Sequence, residues 1–486
     1  MVEDSKAQTQ TSPTNQEQNT EWAWYPLTLC DNMSEGGNMG KAWIVEGILD
    51  AGKVRSALDR VVKKWPALGG RVEVTGKKRY QIRVPLGDLP AGYEPYGFSV
   101  TESPLPLSHY VQLPLPAITE YPPVHLFTPA ERLKITGFEG YAKHRAPLTH
   151  WHITHFKHPG EEYSIINIHY SHGVHDGVGF ALLIHAVVAE LAGKEWDAPP
   201  LPTPGLNENR YKTLVEEEVR KVGESQKVLE PLYNFSAVGL WGILVFVFGS
   251  LWDRWVNGYG EWNLVIPYNV HMKLAEETRR EAEEAGWTDV RPTSGDILFA
   301  WLVQSIYKDG TKPNRTIGLN SMVSLRSEWN GELALYPHNC LGGLRYPTFT
   351  VHEVTIRPLH ELSVSLAKAK TKGSKAEEGA LFYKRLAEAD AAWPTGGLLP
   401  IDSRTDETVT MSNVSMARVA ALDWSAAGGG ATLTHYKLFP NAIKVANIVN
   451  INGRLENGDL VVNLLLNRRR MESLEREYRK LEERFR

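Results

Sequence analysis

The fold of this chain is decided by a stretch that reads YSIINIHYSHGVHDGVGFALLI from Tyr163 to Ile184. Its first eight residues are rich in β-branched and aromatic side chains and predict a strand, whereas its last seven are an apolar run that predicts a helix. Between them, the segment HGVHDG places His172 at the strand exit and Asp176-Gly177 at the helix start. A strand exit holds a side chain on a rigid scaffold, and a glycine lets the backbone pass close to whatever fills the neighbouring cleft. We therefore predict a functional site here, with His172 as its reactive group.

These histidines allow two other interpretations. A single histidine in a globular protein is most often structural, but the series of strand, motif and helix favours a catalytic His172. His169, His172 and His175 recur at every third residue, which would suit metal binding from one face of a helix. The β-branched run and the loop residues Ser171 and Gly173 argue against a helix, so no metal site is predicted.

The length of 486 residues predicts two or three domain-sized units. Both halves mix strands and helices, which predicts the α/β (α+β) class, with two sandwich-like domains and a site between them. The predicted divisions are a disordered tail at 1–20, an N-terminal domain at 21–200, a linker or crossover at 201–260 and a C-terminal domain at 261–486.

Composition narrows the class of protein further. The net charge of −4, with charges of both signs well mixed, argues against a nucleic-acid partner. The two cysteines, Cys30 and Cys340, imply no disulfide framework and are expected to be small core residues in a reducing interior. The polar stretch 1–20 lacks the apolar core of a secretory signal, so a cytoplasmic location is expected.

One uncharged apolar run, 235–252, does not fit this scheme, because it meets the threshold of about 18 residues for a membrane-spanning helix. Spanning would place the two halves on opposite sides of a bilayer and is disfavoured. A helix on or re-entering a membrane surface is preferred, and a buried crossover helix is the close alternative. Peripheral contact with an intracellular membrane is the corresponding partner prediction.

Four further blocks carry a resemblance to a known family. They read PALGGRV at Pro66–Val72, TSGDIL at Thr293–Leu298 followed by Trp301, VSLR at Val323–Arg326 and YPHN at Tyr336–Asn339. Together with the motif HGVHDG, they make the chain resemble the BAHD acyl-CoA-dependent acyltransferases, most of all the fungal secondary-metabolite branch. The resemblance runs from Trp24 to about Leu474.

The resemblance implies two chloramphenicol-acetyltransferase-like domains, each a mixed sheet flanked by helices, around a central solvent channel in a monomer. It implies that His172 is the general base of a direct acyl transfer without an acyl-enzyme. Asp176 would tie down the loop, often to an arginine, and Gly177 would keep the channel open. No cofactor would be bound, and acyl-CoA would be the co-substrate.

The second signature of that family, DFGWG, is poorly kept, because its place is held by LDWSAAG at Leu422–Gly428. The resemblance implies that Asp423 is a structural anchor paired with Arg326. It also places Ser412 and Asn413 near the pantetheine arm of CoA.

The predicted function is transfer of an acyl group from acyl-CoA to a hydroxyl, or an amine, of a small hydrophobic metabolite. The alternative is a non-acylating relative that binds a lipophilic intermediate or catalyses its cyclisation or isomerisation. A peptide-synthetase condensation domain would carry a second histidine directly before the motif, where this chain has Ser171. CoA is therefore the preferred donor.

Overall fold

The computed structural model describes residues 21–203, 208–225, 235–392, 397–440 and 445–485. The tail predicted for 1–20 lies outside these residues. The strands are β1 (Glu21–Pro26), β2 (Asn38–Glu46), β3 (Arg71–Gly76), β4 (Arg79–Leu86), β5 (Gly97–Glu102), β6 (Ile118–Glu120), β7 (Thr149–His158), β8 (Glu161–Ser171), β9 (Ser236–Val238), β10 (Gly260–Ile266), β11 (Thr316–Ser324), β12 (Leu341–Gly343), β13 (Phe349–Thr350), β14 (Gly397–Leu399), β15 (Glu407–Asn413), β16 (Thr432–Leu438), β17 (Ile448–Arg454) and β18 (Leu460–Leu466). The helices are α1 (Leu29–Met33), α2 (Ala51–Lys64), α3 (Gly137–Lys143), α4 (Gly177–Leu191), α5 (Arg210–Ser225), α6 (Leu240–Asn257), α7 (Tyr268–Glu284), α8 (Ser294–Tyr307), α9 (Val351–Ile356), α10 (Leu359–Gly373), α11 (Ala376–Ala392) and α12 (Arg468–Phe485).

The first main sheet has the strand order β16-β2-β8-β7-β5. Its pairs are antiparallel except for β5 with β7. One face of the sheet presents Trp43, Trp151 and Ile166, which form a core with the apolar faces of α2 and α4. The strand 163–170 and the following helix lie where the sequence predicts them, because the β-branched run fits a pleated surface and the apolar run needs a core to cover it.

The second main sheet has the order β12-β11-β15-β17-β18-β10-β6, with β13 also paired to β11. Helix α8 is buried along most of its length because it lies among α7, α10 and α12 against this sheet. Helix α12 is amphipathic and buries Met471, Leu474 and Tyr478 in the same core. The predicted α/β class with two helix-flanked mixed sheets is confirmed.

Two strands cross between the halves of the chain. Strand β16, from late in the sequence, pairs with β2 in the first sheet. Strand β6, from early in the sequence, pairs with β10 in the second sheet. The two sheets are therefore tied together by backbone hydrogen bonds, and groups from distant parts of the chain meet at their junction.

The apolar run 235–252 forms most of α6, and the buried crossover interpretation is wrong. No residue of α6 is buried, and its outer side chains are among the most exposed apolar groups in the described part of the chain. Among the described residues, no helix is long and apolar enough to cross a membrane. The two cysteines, by contrast, lie in the core as expected, unbonded to each other.

Candidate active site

The loop that follows β8 exposes a single side chain. Between Ser164 and Asp176, every residue is buried except His172, which is partly exposed. The His172 backbone N–H donates to Gly37 O at 2.7 Å, extending the pairing of β8 with β2 beyond the end of the strand. The strand thus holds His172 at the mouth of the loop, as the sequence predicts.

Asp176 is the N-cap of α4 and an anchor between the two halves. Its Oδ1 accepts from the backbone N–H groups of Val178 (3.1 Å) and Gly179 (2.8 Å). Its carboxylate also accepts from Arg326 Nη1 (2.8 Å) and Nη2 (2.9 Å) and from the Cys340 N–H (3.1 Å). Although burial raises it, the Arg326 guanidinium and these hydrogen bonds hold the pKa of Asp176 below its ordinary value. A carboxylate so fully engaged holds the loop and is not positioned to orient the His172 ring.

The predicted ion pair between Asp423 and Arg326 is wrong. Asp423 is exposed, and its Oδ1 accepts from the Ser425 N–H at 2.9 Å in a local turn. Arg326 binds Asp176 instead and donates to the backbone carbonyl oxygens of Tyr336 (2.9 Å) and His338 (2.5 Å). The cause is the junction of the halves, which brings the end of β11 to the start of α4.

The segment Tyr336–Asn339 runs along the loop and fixes it. Asn339 Nδ2 donates to the carbonyl oxygens of His172 (2.9 Å) and Gly173 (3.0 Å). Asp31 Oδ1 in turn accepts from the Asn339 N–H (2.9 Å) and Nδ2 (3.0 Å). Sequence reasoning did not assign a role to Asp31 or Asn339, although the YPHN block pointed to this segment.

Two histidines support the same contact. His175 Nδ1 donates to Pro337 O at 2.7 Å, and His338 Nδ1 donates to Val174 O at 2.8 Å. His169 lies in β8, so the three regularly spaced histidines do not form one site. Among the described residues, no group of three or more His, Cys, Asp or Glu side chains could hold a metal ion.

The surroundings of His172 keep its ring neutral. Burial, and after it the nearby ammonium group of Lys437, lowers the pKa of His172 to about 4. The ring is therefore uncharged near pH 7 and able to accept a proton. Its Nδ1 is buried and has no hydrogen-bond partner among the described residues.

The end of β15 lies next to Lys437 and to the start of α4. Ser412 Oγ accepts from Lys437 Nζ at 3.0 Å, whereas Asn413 Oδ1 accepts from the Ser415 N–H (3.0 Å) and Oγ (2.7 Å). A Cβ added to Gly177 would lie 2.4 Å from Val414 Cγ1. Gly177 therefore permits close packing of α4 on the end of β15, which the motif alone did not reveal.

A cleft of about 530 Å³ opens next to this strand end. It lies between the N-terminus of α8 and the segment that follows β15, and two arginines, Arg418 and Arg454, are among its lining residues. Apolar groups, such as Leu274 and Ile451, line the rest of it with a few polar side chains. The cleft offers cations and apolar surface within one concave space.

Solved structures share the fold of this chain, although its sequence resembles theirs only weakly. The sequence matches no protein-family model and no curated relative. Among solved structures, F. graminearum TRI101 complexed with coenzyme A and deoxynivalenol is 13% identical with a TM-score of 0.65, and the match covers 94% of this chain and 98% of that chain. Vinorine synthase is 13% identical with a TM-score of 0.57, over 97% of this chain and 95% of that chain.

A third similar structure is the first condensation domain of the calcium-dependent antibiotic synthetase, in complex with a substrate analogue. It is 14% identical with a TM-score of 0.53, over 95% of this chain and 96% of that chain. These likenesses extend over nearly the whole chain, and they confirm the predicted architecture. At such low identity, they establish the fold and not the reaction.

Proposed function

We propose that this protein is an acyl-CoA-dependent acyltransferase that uses His172 as a general base. The observation that carries the proposal is the placement of His172. It is the single partly exposed residue of a buried loop that Asp176, Arg326 and Asn339 fasten to the second half of the chain. The likeness in fold to TRI101, whose structure was solved with coenzyme A, supports the choice of donor.

The proposed reaction needs one base. The neutral imidazole removes the proton from an acceptor hydroxyl or amine as the acceptor oxygen or nitrogen attacks the thioester carbonyl. The tetrahedral intermediate collapses, the carbon–sulfur bond breaks, and the proton passes from His172 to the CoA thiolate. A positioned base of this kind contributes about 10²–10⁴-fold to the rate. Because the Asp176 carboxylate is occupied by Arg326 and by backbone N–H groups, it does not act as the third member of a catalytic triad with His172.

The proposed place of the donor is the cleft next to the end of β15. The cleft beside α8 carries Arg418 and Arg454, which would attract the phosphates of CoA, and its apolar walls suit the pantetheine arm. It borders the end of β15, where Asn413 and Ser415 lie. Of the two residues predicted to contact the pantetheine arm, Asn413 lies next to Gly295 of the cleft and is proposed to contact the donor, whereas Ser412 is bound to Lys437.

Helix α6 would place the enzyme at a membrane surface. The apolar side chains of its outer face are exposed by between 51% and 77%: Leu240, Trp241, Leu244, Val245, Phe248, Leu251, Trp252, Trp255 and Val256. The polar groups Ser250, Asp253 and Asn257 lie on the half-buried face instead. Exposing so much apolar surface to water is costly, and tryptophans at both ends of a helix are typical of the membrane interface.

A bilayer fits this face better than a second helix does. A coiled-coil seam is narrow and is flanked by charged side chains that specify the partner. Here the flanking positions, such as Val245 and Trp252, are apolar too. Within α6, all of whose residues are described, Arg254 is the only charged side chain that is exposed, and a cation suits anionic headgroups.

The deciding experiment is thiol release from acyl-CoAs of increasing chain length, with a lipophilic extract as the source of acceptor. Wild type, His172→Ala and the control His144→Ala, which changes an exposed histidine outside the site, are compared. We expect release that depends on the extract and falls at least about 100-fold in His172→Ala only.

Equal release by wild type and His172→Ala would refute the proposal. If no donor gives release, direct titration with acyl-CoA separates two cases. Binding without release means that the acceptor was missing, whereas no binding favours the non-acylating alternative.

A further inference from the structure

Two lysines face each other in the interior beside His172. Lys41 on β2 and Lys437 on β16 are directly paired across the two strands. Their exposed fractions are 1% and 6%. Residues paired in this way have Cβ atoms about 4.5–5.5 Å apart, and like charges at such positions destabilise a sheet. The pair therefore costs stability unless something offsets its charge.

The protein itself supplies little compensation. Lys437 Nζ donates to Ser412 Oγ at 3.0 Å, and Lys41 Nζ has no hydrogen-bond partner among the described residues. Neither amine forms an ion pair within the described part of the chain. The carboxylate of Asp176, which influences His172, is already held by Arg326. Two buried amines thus lack a counter-charge.

Other polar groups nearby are also unsatisfied. His435, two residues before Lys437 on the same strand, has both ring nitrogens buried without a partner in the described structure. Asn450, paired with Ser412 across β15 and β17, has a side-chain oxygen and nitrogen that find no hydrogen-bond partner among the residues the structure describes. Buried polar groups are nearly always hydrogen-bonded, so a cluster of exceptions around a candidate base indicates a place where a polar ligand binds.

We propose that Lys41, Lys437 and Ser412 form an anion-binding site beside His172, and that the acceptor of this enzyme carries a carboxylate. That the bound anion belongs to an acyl acceptor rests on the proposed function. The anion site itself does not depend on it. A carboxylate offers two oxygens, enough to bind both amines, and charge-assisted hydrogen bonds are stronger than neutral ones. The phosphates of CoA lie at the far end of the pantetheine arm from the thioester. The phosphates are the anionic groups of CoA, so an anion that binds beside His172 belongs to the acceptor and not to CoA.

The test is binding without any acyl donor. Straight-chain monocarboxylates from acetate to decanoate, and the matching primary amides, are titrated calorimetrically into wild type, Lys41→Met, Lys437→Met and Lys63→Met. Lys63 is exposed on α2 and serves as the matched control. We expect wild type and the control to prefer each acid over its amide by at least about tenfold, and both interior variants to lose that preference.

Methionine is unbranched like lysine, is only one atom shorter and removes a buried charge, so the interior variants are expected to fold, and circular dichroism checks this. Equal binding of acids and amides by wild type would overturn the inference, as would an acid preference that survives in both interior variants. Because no acyl-CoA is present, this result is independent of thiol release. Loss of release in His172→Ala together with equal binding of acids and amides would leave the acyltransferase proposal standing and remove only the anion site.

Discussion

Arg326 donates two parallel hydrogen bonds, 2.8 and 2.9 Å long, to the carboxylate of Asp176, which lies 150 positions earlier in the sequence. Because Asp176 also caps α4, this one contact joins the loop that carries His172 to the end of β11 in the second sheet. The candidate site therefore exists only when both halves of the chain are assembled.

Asp176→Asn should be strongly destabilising. It leaves the buried Arg326 guanidinium without its counter-charge, a change that costs about 3–5 kcal/mol. Asp423→Asn, at the exposed aspartate first expected to bind Arg326, should change the free energy of unfolding by less than about 0.5 kcal/mol. Urea unfolding of both variants measures this, and similar losses from the two would contradict the assignment.

Asn339→Ala should loosen the His172 loop. It removes the side-chain hydrogen bonds to His172 O, Gly173 O and Asp31 Oδ1, at a cost of about 1–3 kcal/mol, whereas the backbone N–H still donates to Asp31. We expect kcat to fall more than KM rises, because the base loses its position while the binding surfaces remain. The exposed turn variant Asn457→Ala should match wild type in both constants. An unchanged kcat in a folded Asn339→Ala protein would show that the hydrogen bonds from the Asn339 side chain to the His172 loop are not needed for activity.

The buried charge of Lys437 should destabilise the protein at low pH, and this destabilisation should disappear as the pH rises. Burial lowers the pKa of Lys437 from 10.5 to about 7, so between these values the unfolded chain binds a proton that the folded one does not. The penalty is complete below pH 7 and disappears as pH rises toward 10.5. Lys437→Met should therefore be more stable than wild type at pH 6, and the difference should shrink by pH 10.

Unfolding by urea at pH 6, 7, 8, 9 and 10 provides the comparison. Lys41, His172 and His435 stay in both proteins, but burial and the charge of Lys437 lower the pKa of each of them. Removing that charge relieves these groups as well, which favours the variant at low pH and so acts in the same direction as the loss of the buried Lys437 charge. A difference that is constant over this range would mean that Lys437 does not titrate as its burial requires.

Gly177→Ala should be destabilising for a reason that a second change can remove. The new Cβ would lie 2.4 Å from Val414 Cγ1, which overpacks the contact and costs about 1–3 kcal/mol. Gly177→Ala/Val414→Ala should recover most of that loss, because the obstructing methyl group is gone. Gly179→Ala, whose Cβ would lie 2.0 Å from the backbone oxygen of Pro337, has no such remedy. Failure of the double variant to recover would indicate that the glycine is needed for its backbone conformation.

Wild-type protein should sediment with phospholipid vesicles. Trp241→Ser/Phe248→Ser/Trp255→Ser removes three exposed anchors from α6 and should weaken vesicle binding at least tenfold, since each buried aromatic side chain contributes about 1.5–3 kcal/mol. Trp287→Ser, at a partly exposed tryptophan outside α6, is the control. Because the contact is mainly apolar, high salt should have little effect. Dimerisation through this face, seen by light scattering without vesicle binding, would contradict the membrane assignment.

Local sequence patterns predicted much of the candidate active site. The strand, loop and helix around His172 are encoded by neighbouring residues, since β-branched residues favour the strand and Asp176 caps the helix that directly follows it. The apolar run before Asn257 was likewise visible as a helix. Its exposure was not, because an apolar helix looks the same in sequence whether a core, a bilayer or nothing yet covers it.

The sequence by itself determined the strand and the helix that flank His172, their apolar faces and the presence of a histidine at a strand exit. Only the tertiary structure decided which groups meet there: Arg326 with Asp176 rather than Asp423, Asn339 with the His172 loop, and Lys41 with Lys437. The physical reason is that local preferences act over a few residues, whereas these contacts depend on strand order and on the exchange of β6 and β16 between the sheets. That order is set by the burial of whole faces, and it is not written in the periodicity of any one segment.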